Sequence, residues 1–327
     1  MRRGITCAGV AVVALAALTV AASAQPYSTY PTKTVRVIVP TAAGGNPDFV
    51  ARPVLQKMSE SLKHTFFIDN RPGAAGIIGV ELAIRAAPDG YTLLFAARGH
   101  IATPPALHEK LPYDATRDLA PISRLVDAPL ALFVNPSLPA RSVRELVTLA
   151  RARPRELTYA SFGVGSSTHF TTEAFSAATG IRLVHVPYKG SAPAATALLA
   201  GEVMLGFDAL QATLQHVRTR RLRALAIGAD RRIAVAPDLP TFAEAGTLGF
   251  TDVAWYGLFA PAQVPHEVIT KLHAEAIKAL AAPDIREHFE RAGMLLVGNT
   301  PAQFTQQVRN DIARYAKIAR EAGIRAE

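Results

Sequence analysis

The sequence predicts an α/β protein with a largely parallel sheet, divided into two lobes. Three observations carry this. From Tyr30 onward short β-branched runs alternate with helical segments, the pattern of repeated βα units. The stretch from Gln25 to Glu327 exceeds the usual length of a single domain. A strand, a glycine-rich loop and a helix then follow one another once in each half of the chain.

The opening residues concern address rather than fold. Arg2 and Arg3 are followed by an apolar run from Ala8 to Ala22, which ends in the small residues Ala22-Ser23-Ala24. This is the form of a secretory leader, with cleavage expected after Ala24. The run is too short for a membrane anchor. Cys7 precedes the apolar core, so it is not placed for lipidation. As the single cysteine, it leaves the mature chain without disulfides, which a domain of this size does not need.

The elements follow in order. Thr34 to Pro40 reads as a strand, followed by Thr41-Ala42-Ala43-Gly44-Gly45 and a helix. Asn46 is the expected N-cap, Pro47 suits the first helical position, and Asp48 suits the dipole of the first turn. Phe66 to Asp69 is a second strand, Asn70-Arg71-Pro72-Gly73 a turn into a helix reaching Ala86, and Tyr91 to Ala96 a third strand. Leu130 to Val134 reads as a strand crossing between lobes. Ser142 and Glu145 form an expected capping box.

Leu157 to Ser161 leads into Phe162-Gly163-Val164-Gly165-Ser166-Ser167-Thr168, with a helix to Thr179. Arg182 to Val186, Val203 to Phe207 and Arg223 to Ile227 continue the alternation, and the chain crosses back near Trp255 to Ala260. Two amphipathic helices close it, the last behind a Thr300–Gln303 capping box.

The formal net charge of +9 fits a diffuse positive field that attracts anions. The one dense basic stretch, Arg218, Arg220, Arg221 and Arg223, has no interleaved aromatic residue, which argues against nucleic acid. Ser166 and His169 stand three apart on a helix, but without a G-x-S-x-G elbow no hydrolase is expected. Gly73, Gly76 and Gly79 have the wrong spacing for a dinucleotide fingerprint, so no cofactor is expected. No cysteine, histidine and carboxylate set has metal spacing, and His100, His185 and His216 stand singly.

The chemistry therefore rests on the loops Thr41–Asp48 and Phe162–Thr168. Glycine lets the backbone approach a ligand, and the first N–H groups of a helix are unsatisfied donors at its positive end. Two such ends facing across a cleft suit a carboxylate. Ser161, Ser166, Ser167 and Thr168 add hydroxyls. Read alone, both loops also fit ordinary strand-to-helix turns.

The segments YPTKTVRVIVPTAAGGNPDFVAR, NRPGAAGIIG, APDGYTLL, KLPYDATRDLAPIS, YASFGVGSSTH, HVPYKGSAPA, ALLAGEVMLGFD, LPTFAEAG and AGIRAE occur in this order over residues 30–327. In them the chain resembles the Bug-type periplasmic receptors of tripartite tricarboxylate transporters. The resemblance implies a two-lobed, type II periplasmic-binding-protein fold that closes like a flytrap. Lobe one would be 30–130 with 260–327, and lobe two 131–259.

It further implies a monomer that holds a small carboxylate through backbone amides, hydroxyls and water, for inner-membrane transporter subunits. A sensor presenting the same solute to a signalling receptor fits the same residues. By position, Thr41, Ala42, Gly44, Gly45 and Asp48 would line one side, and Ser161, Gly163, Gly165, Ser166, Ser167 and Thr168 the other. His100, Phe207 and Asp208 would face the cleft. Pro47, Thr103-Pro104, Ala209, Ala212 and Phe162 are less polar than the family pattern, which implies an aromatic or short aliphatic carboxylate rather than an amino acid.

Overall fold

Branched apolar runs set the strands, and the segments between them supply the covering helices. A computed structural model describes residues 29–248, 250 and 252–325. The leader and its cleavage point lie outside the described residues. The chain runs β1 (Val35–Val39), α1 (Asn46–Leu62), β2 (Phe66–Asn70), α2 (Ile77–Ile84), β3 (Thr92–Ala97), the short α3 (Arg98–Ala102), α4 (Pro104–Leu107) and α5 (Ala115–Asp118). The long β4 (Leu119–Val134) follows.

After it come α6 (Val143–Ala152), β5 (Thr158–Ser161), α7 (Ser167–Thr179), β6 (Val184–Pro187), α8 (Ser191–Ala200), β7 (Leu205–Ala209), α9 (Leu210–Arg218) and β8 (Arg223–Ile227). The return is β9 (Val253–Pro261), then α10 (His266–Ala281), α11 (Pro283–Arg291), β10 (Leu295–Leu296) and α12 (Pro301–Ala322).

The strand order is β2-β1-β3-β9-β4-β7-β5-β6, with β8 and β10 also paired to β4. Each half keeps the parallel core that the alternation predicts. β1 pairs parallel with β2 and β3, and β5 pairs parallel with β6 and β7. The antiparallel pairings all involve β4 or β9, the strands that cross between the halves. The fold is thus α/β, with mixed character concentrated in the crossing strands.

The registers fix where the strand ends meet. β9 is antiparallel to both β3 and β4, so β3 runs with β4; β7 is antiparallel to β4 and runs against it. The C-terminal ends of the two parallel cores therefore point toward each other. Ala97, the end of β3, is level with Tyr256 and through it with Val126. Ala209, the end of β7, is level with Leu130. Four residue steps from 126 to 130, at about 3.3 Å each, separate the two ends by about 13 Å along β4.

Two corrections concern boundaries. β4 begins at Leu119, well before the expected Leu130; Pro121, Pro129 and the polar Ser123, Arg124 and Asp127 break the alternation by which a strand is read and so hide its first part. The register shifts twice there, between Pro121 and Ser123 and between Arg124 and Val126. The N-cap of α1 is Gly45 rather than Asn46, with no side-chain capping bond. The Thr300–Gln303 capping box forms reciprocally. At α6, Ser142 caps Glu145, but the Glu145 carboxylate accepts from Arg141 instead of returning to the cap.

Each half has its own apolar centre. Ile38, Leu94, Trp255, Phe259, Phe304 and Val308 pack together in the first, where Trp255 Nε1 donates to Asp311 at 2.6 Å. In the second, Phe133, Leu198, Leu222 and Ile227 form one cluster. A second group of rings there joins Phe175, Phe207, Phe242 and Phe250, with neighbouring centroids 4.8 to 6.0 Å apart.

Candidate functional site

The first loop leaves β1 and enters α1. Gly44 has φ +82°, a conformation that favours glycine. A Cβ on Gly45 would lie 2.8 Å from Thr41 Oγ1, so the turn has no room for a side chain there. Asp48, 1% exposed, folds back on the loop. Its carboxylate accepts from the Gly44 N–H at 2.8 Å, from Arg52 Nε and Nη2 at 2.7 and 2.9 Å, and from Asn70 Nδ2 at 3.1 Å. Burial pushes this carboxyl up, but the bonds from Arg52, Gly44 and Asn70 outweigh it and hold the group below its ordinary range. Asp48 is thus an ionised, neutralised strut. Among the described residues the N–H groups of Ala42, Ala43 and Asn46 have no partner, and Ala42, Ala43, Gly44 and Asn46 are exposed.

The second loop leaves β5 and enters α7. Gly163 and Gly165 take φ +122° and +72°. Ser166 Oγ caps α7 by accepting from His169 N–H at 3.3 Å. Thr168 Oγ1, fully buried, accepts from Phe162 N–H at 3.0 Å and lies 3.2 Å from Ser166 Oγ. Ser161 is also fully buried, with Oγ 3.0 Å from Gly163 O and 2.6 Å from His185 Nε2. These hydroxyls brace the loop from within. The N–H groups of Val164, Ser167 and Thr168 have no partner among the described residues, as the opening turn of a helix dictates for the last two.

The remaining sequence-predicted residues divide. His100 is half-buried; its Nδ1 accepts from Ala97 N–H at 3.3 Å. A Cβ on Gly76 would come within 2.7 Å of the His100 ring, so His100 packs against the turn before α2. Burial pushes it down to about 4, which keeps the ring neutral near neutral pH. Asp208 is buried and accepts from Ser191 Oγ and the Ala209 N–H, both at 2.7 Å. Burial pushes it up to about 6. Phe207 needs correction as a cleft residue: it is 2% exposed, its ring held in the aromatic group with Phe175, Phe242 and Phe250. The alternation along β7 hid this, because neither neighbour marks which face is the core.

Two features escaped the sequence. His185, which stands singly in the sequence, stacks on Tyr159 and on His169 and bonds Ser161. An ion pair of Arg98 with Asp252 is buried where α3 meets α7, and Thr171 Oγ1 donates to the same carboxylate. The start of α7 sits directly on α3 and α4. A Cβ on Gly99 would lie 3.8 Å from Ser167 Cβ, and one on Gly165 would strike Leu107 Cδ1 at 2.3 Å. No signal of spacing in one dimension announces contacts between residues so far apart in sequence.

The less polar positions are mostly turned inward. Pro47 and Ala209 are buried, and Phe162 packs against the second-half core. They bear on packing and give little information about a ligand's far end. Among the described residues no group of three or more His, Cys, Asp or Glu is placed to hold a metal ion. No helix among them is long and apolar enough to cross a membrane.

Residues 50–324 match the model of the tripartite tricarboxylate transporter family receptor, TctC. Protein BugT of Bordetella pertussis is 36% identical over 296 residues, covering 90% of this chain and 91% of that one. An R. palustris protein, Rpa4515, solved with adipate, superimposes with a TM-score of 0.80 at 34% identity, covering 91% of this chain and all of that one. MatC from Rhodopseudomonas palustris, solved with bound malate, gives 0.76 at 32% identity, covering 88% and 99%. With the fold and these matches together, the chain belongs to the TctC family of periplasmic solute-binding receptors.

Proposed function

We propose that this chain captures a small carboxylate between the facing ends of its two parallel cores and delivers it to the membrane subunits of a tripartite tricarboxylate transporter. The observation that carries the reading is the pair of loops Thr41–Asp48 and Phe162–Thr168. Each ends a parallel strand, opens a helix and keeps unpartnered backbone N–H groups, while the acid nearest them, Asp48, is already neutralised by Arg52. Such a site favours an anion without a dedicated cation. Related proteins solved with adipate and malate support the solute class.

In this reading lobe one comprises 30–130 with 260–327, lobe two 131–259, and β4 and β9 are the hinge. The protein acts as an exported monomer without catalytic activity, its leader removed after Ala24. Ligand contacts come from the open amides of Ala42, Ala43 and Asn46 on one side and of Val164 and Ser167 on the other, while Gly44, Gly45, Gly163, Gly165 and Ser166, whose own amides are bonded within the loops, shape the turns that present them. His100 and Asp208 flank them.

The test is thermal unfolding of residues 25–327 against adipate, malate, aromatic acids, amino acids and sugars. A ligand at 1,000 times its Kd stabilises by about 4 kcal/mol. A rise in midpoint with carboxylates supports the reading. A rise with sugars alone overturns it.

A further inference from the structure

Carboxylate capture uses the outer face of the loop Phe162–Thr168; its inner face is gripped by a cluster with no part in that reading. His185, on β6, stacks on Tyr159 at 4.9 Å and on His169 at 3.9 Å between centroids, each at 20°. Its Nε2 lies 2.6 Å from Ser161 Oγ. That oxygen also accepts from the Gly163 N–H at 3.2 Å and lies 3.0 Å from Gly163 O. A serine hydroxyl has one proton and two lone pairs. With its proton on Gly163 O and one lone pair taken by Gly163 N–H, the remaining lone pair accepts a proton from His185 Nε2. Ser161 is then saturated, and the neutral Nε2–H tautomer of His185 completes the set.

His169 grips the same loop two residues on. Its Nδ1 accepts from Gly165 N–H at 3.1 Å, and its own backbone N–H donates to Ser166 Oγ at 3.3 Å. Between these two anchors lie Gly163 and Gly165, both with positive φ, so the loop has little intrinsic preference for the shape it holds.

We propose that His185 and His169 are positioning residues that hold the glycine loop in its ligand-binding shape, so that carboxylate affinity depends on an imidazole pair that touches the loop rather than the ligand. The inference rests on the capture reading for the identity of the ligand, but the loop's order can be measured without one.

Acid acts on this pair directly. A proton on His169 Nδ1 replaces the acceptor for Gly165 N–H with a second donor. A charge on either ring faces the other ring 3.9 Å away. Among the described residues the other titratable ring against the pair is Tyr159 on β5, whose hydroxyl donates to Glu173 on α7 at 2.6 Å. Burial holds both histidines below their ordinary range, His169 at about 4 with a contribution from His185, in keeping with neutral rings in the ordered loop.

The experiment uses residues 25–327 with adipate as the probe, alongside amide exchange of the unliganded protein. His185→Ala is expected to raise the adipate Kd about tenfold at pH 7 and to quicken exchange at Gly163 and Gly165. His185→Gln, whose amide can still donate to Ser161, restores affinity at pH 7. Between pH 7 and 4 the variant loses less affinity than the parent, a comparison that cancels titration of adipate itself. Parent-like affinity, exchange and pH profile in His185→Ala overturn the inference. Quickened exchange in His185→Ala, when the parent's unfolding midpoint responds to sugars and to no carboxylate, supports the positioning role and overturns the capture reading instead.

Discussion

Replacing Asp252 by alanine should be among the most damaging single changes outside the apolar core. Arg98 and Asp252 are each 3% exposed, and their side chains form an ion pair. Thr171 Oγ1 donates to the second carboxylate oxygen, and the Tyr315 ring lies 5.2 Å from the guanidinium carbon. Arg98 Nε and Nη2 have no further partner among the described residues, so Asp252 is the main compensation for that buried charge. Burial pushes the Asp252 carboxyl up, but Arg98 and Arg314 outweigh it and keep the group ionised.

Removing the carboxylate strands a buried guanidinium, at a cost of about 3–5 kcal/mol. Thr171→Val removes one bond to a charged acceptor while keeping its shape, about 2 kcal/mol. The double change Arg98→Met with Asp252→Leu removes both charges and should recover most of the loss. Urea unfolding with fitted m-values reads all three. Asp252→Ala within 1 kcal/mol of the parent, or a double variant no better than the single one, refutes the view that the unpaired charge is what matters.

Three further outcomes follow from the geometry. Phe207→Ala should destabilise by about 3–5 kcal/mol yet leave the ligand-induced shift in midpoint unchanged, because the ring packs in the core; thermal scans with and without adipate decide this. Gly165→Ala places a methyl group at φ +72° against Leu107; urea unfolding should show a loss of about 1–3 kcal/mol, and adding Leu107→Ala should relieve only the steric part.

The third concerns acid. His169 is 7% exposed and held at about 4 when folded, against an ordinary 6.5. As pH falls from 6.5 to 4 the unfolded chain takes up a proton that the folded chain refuses, so stability falls by up to about 3 kcal/mol. Asp208, raised to about 6, has the opposite sign and favours the folded chain as pH falls from 6 toward 3.8. The slope of unfolding free energy against pH should therefore flatten in His169→Phe and steepen in Asp208→Asn.

The sequence showed most of the framework because the framework is local. Periodicity placed β1, β3, β5 and β8 to within a residue or two, and capping chemistry placed the start of α12. It failed at β4, where prolines, polar residues and two register shifts remove the alternation that a strand is read by. The two loops were legible for a similar reason: glycines at φ +82°, +122° and +72° sit at strand-to-helix turns with a short, recognisable grammar. What stayed hidden is long-range. Ser161 with His185, and Arg98 with Asp252, are pairs 24 and 154 residues apart, formed only when the sheets assemble.

Asp48 shows what the sequence alone leaves open at a position it singles out. A carboxylate one turn into a helix whose N–H groups are meant for an anion looks like a competitor for the ligand. The structure assigns that carboxylate three partners, Arg52 four residues on, Asn70 at the end of β2 and the Gly44 N–H inside the loop itself. Arg52 cancels its charge, so the field at the loop is that of the helix end alone. The bond to Gly44 N–H also removes one donor from those open to a ligand and fixes the turn that presents the others. Asp48→Asn keeps the shape while losing the charge, leaving Arg52 unneutralised and free to attract anions. Its effect on adipate affinity should thus be small or favourable, whereas Asp48→Ala, which also releases Gly44, should weaken binding. Calorimetric titration distinguishes the two. Equal losses in both variants would mean that the charge, and not the brace, is what the loop requires.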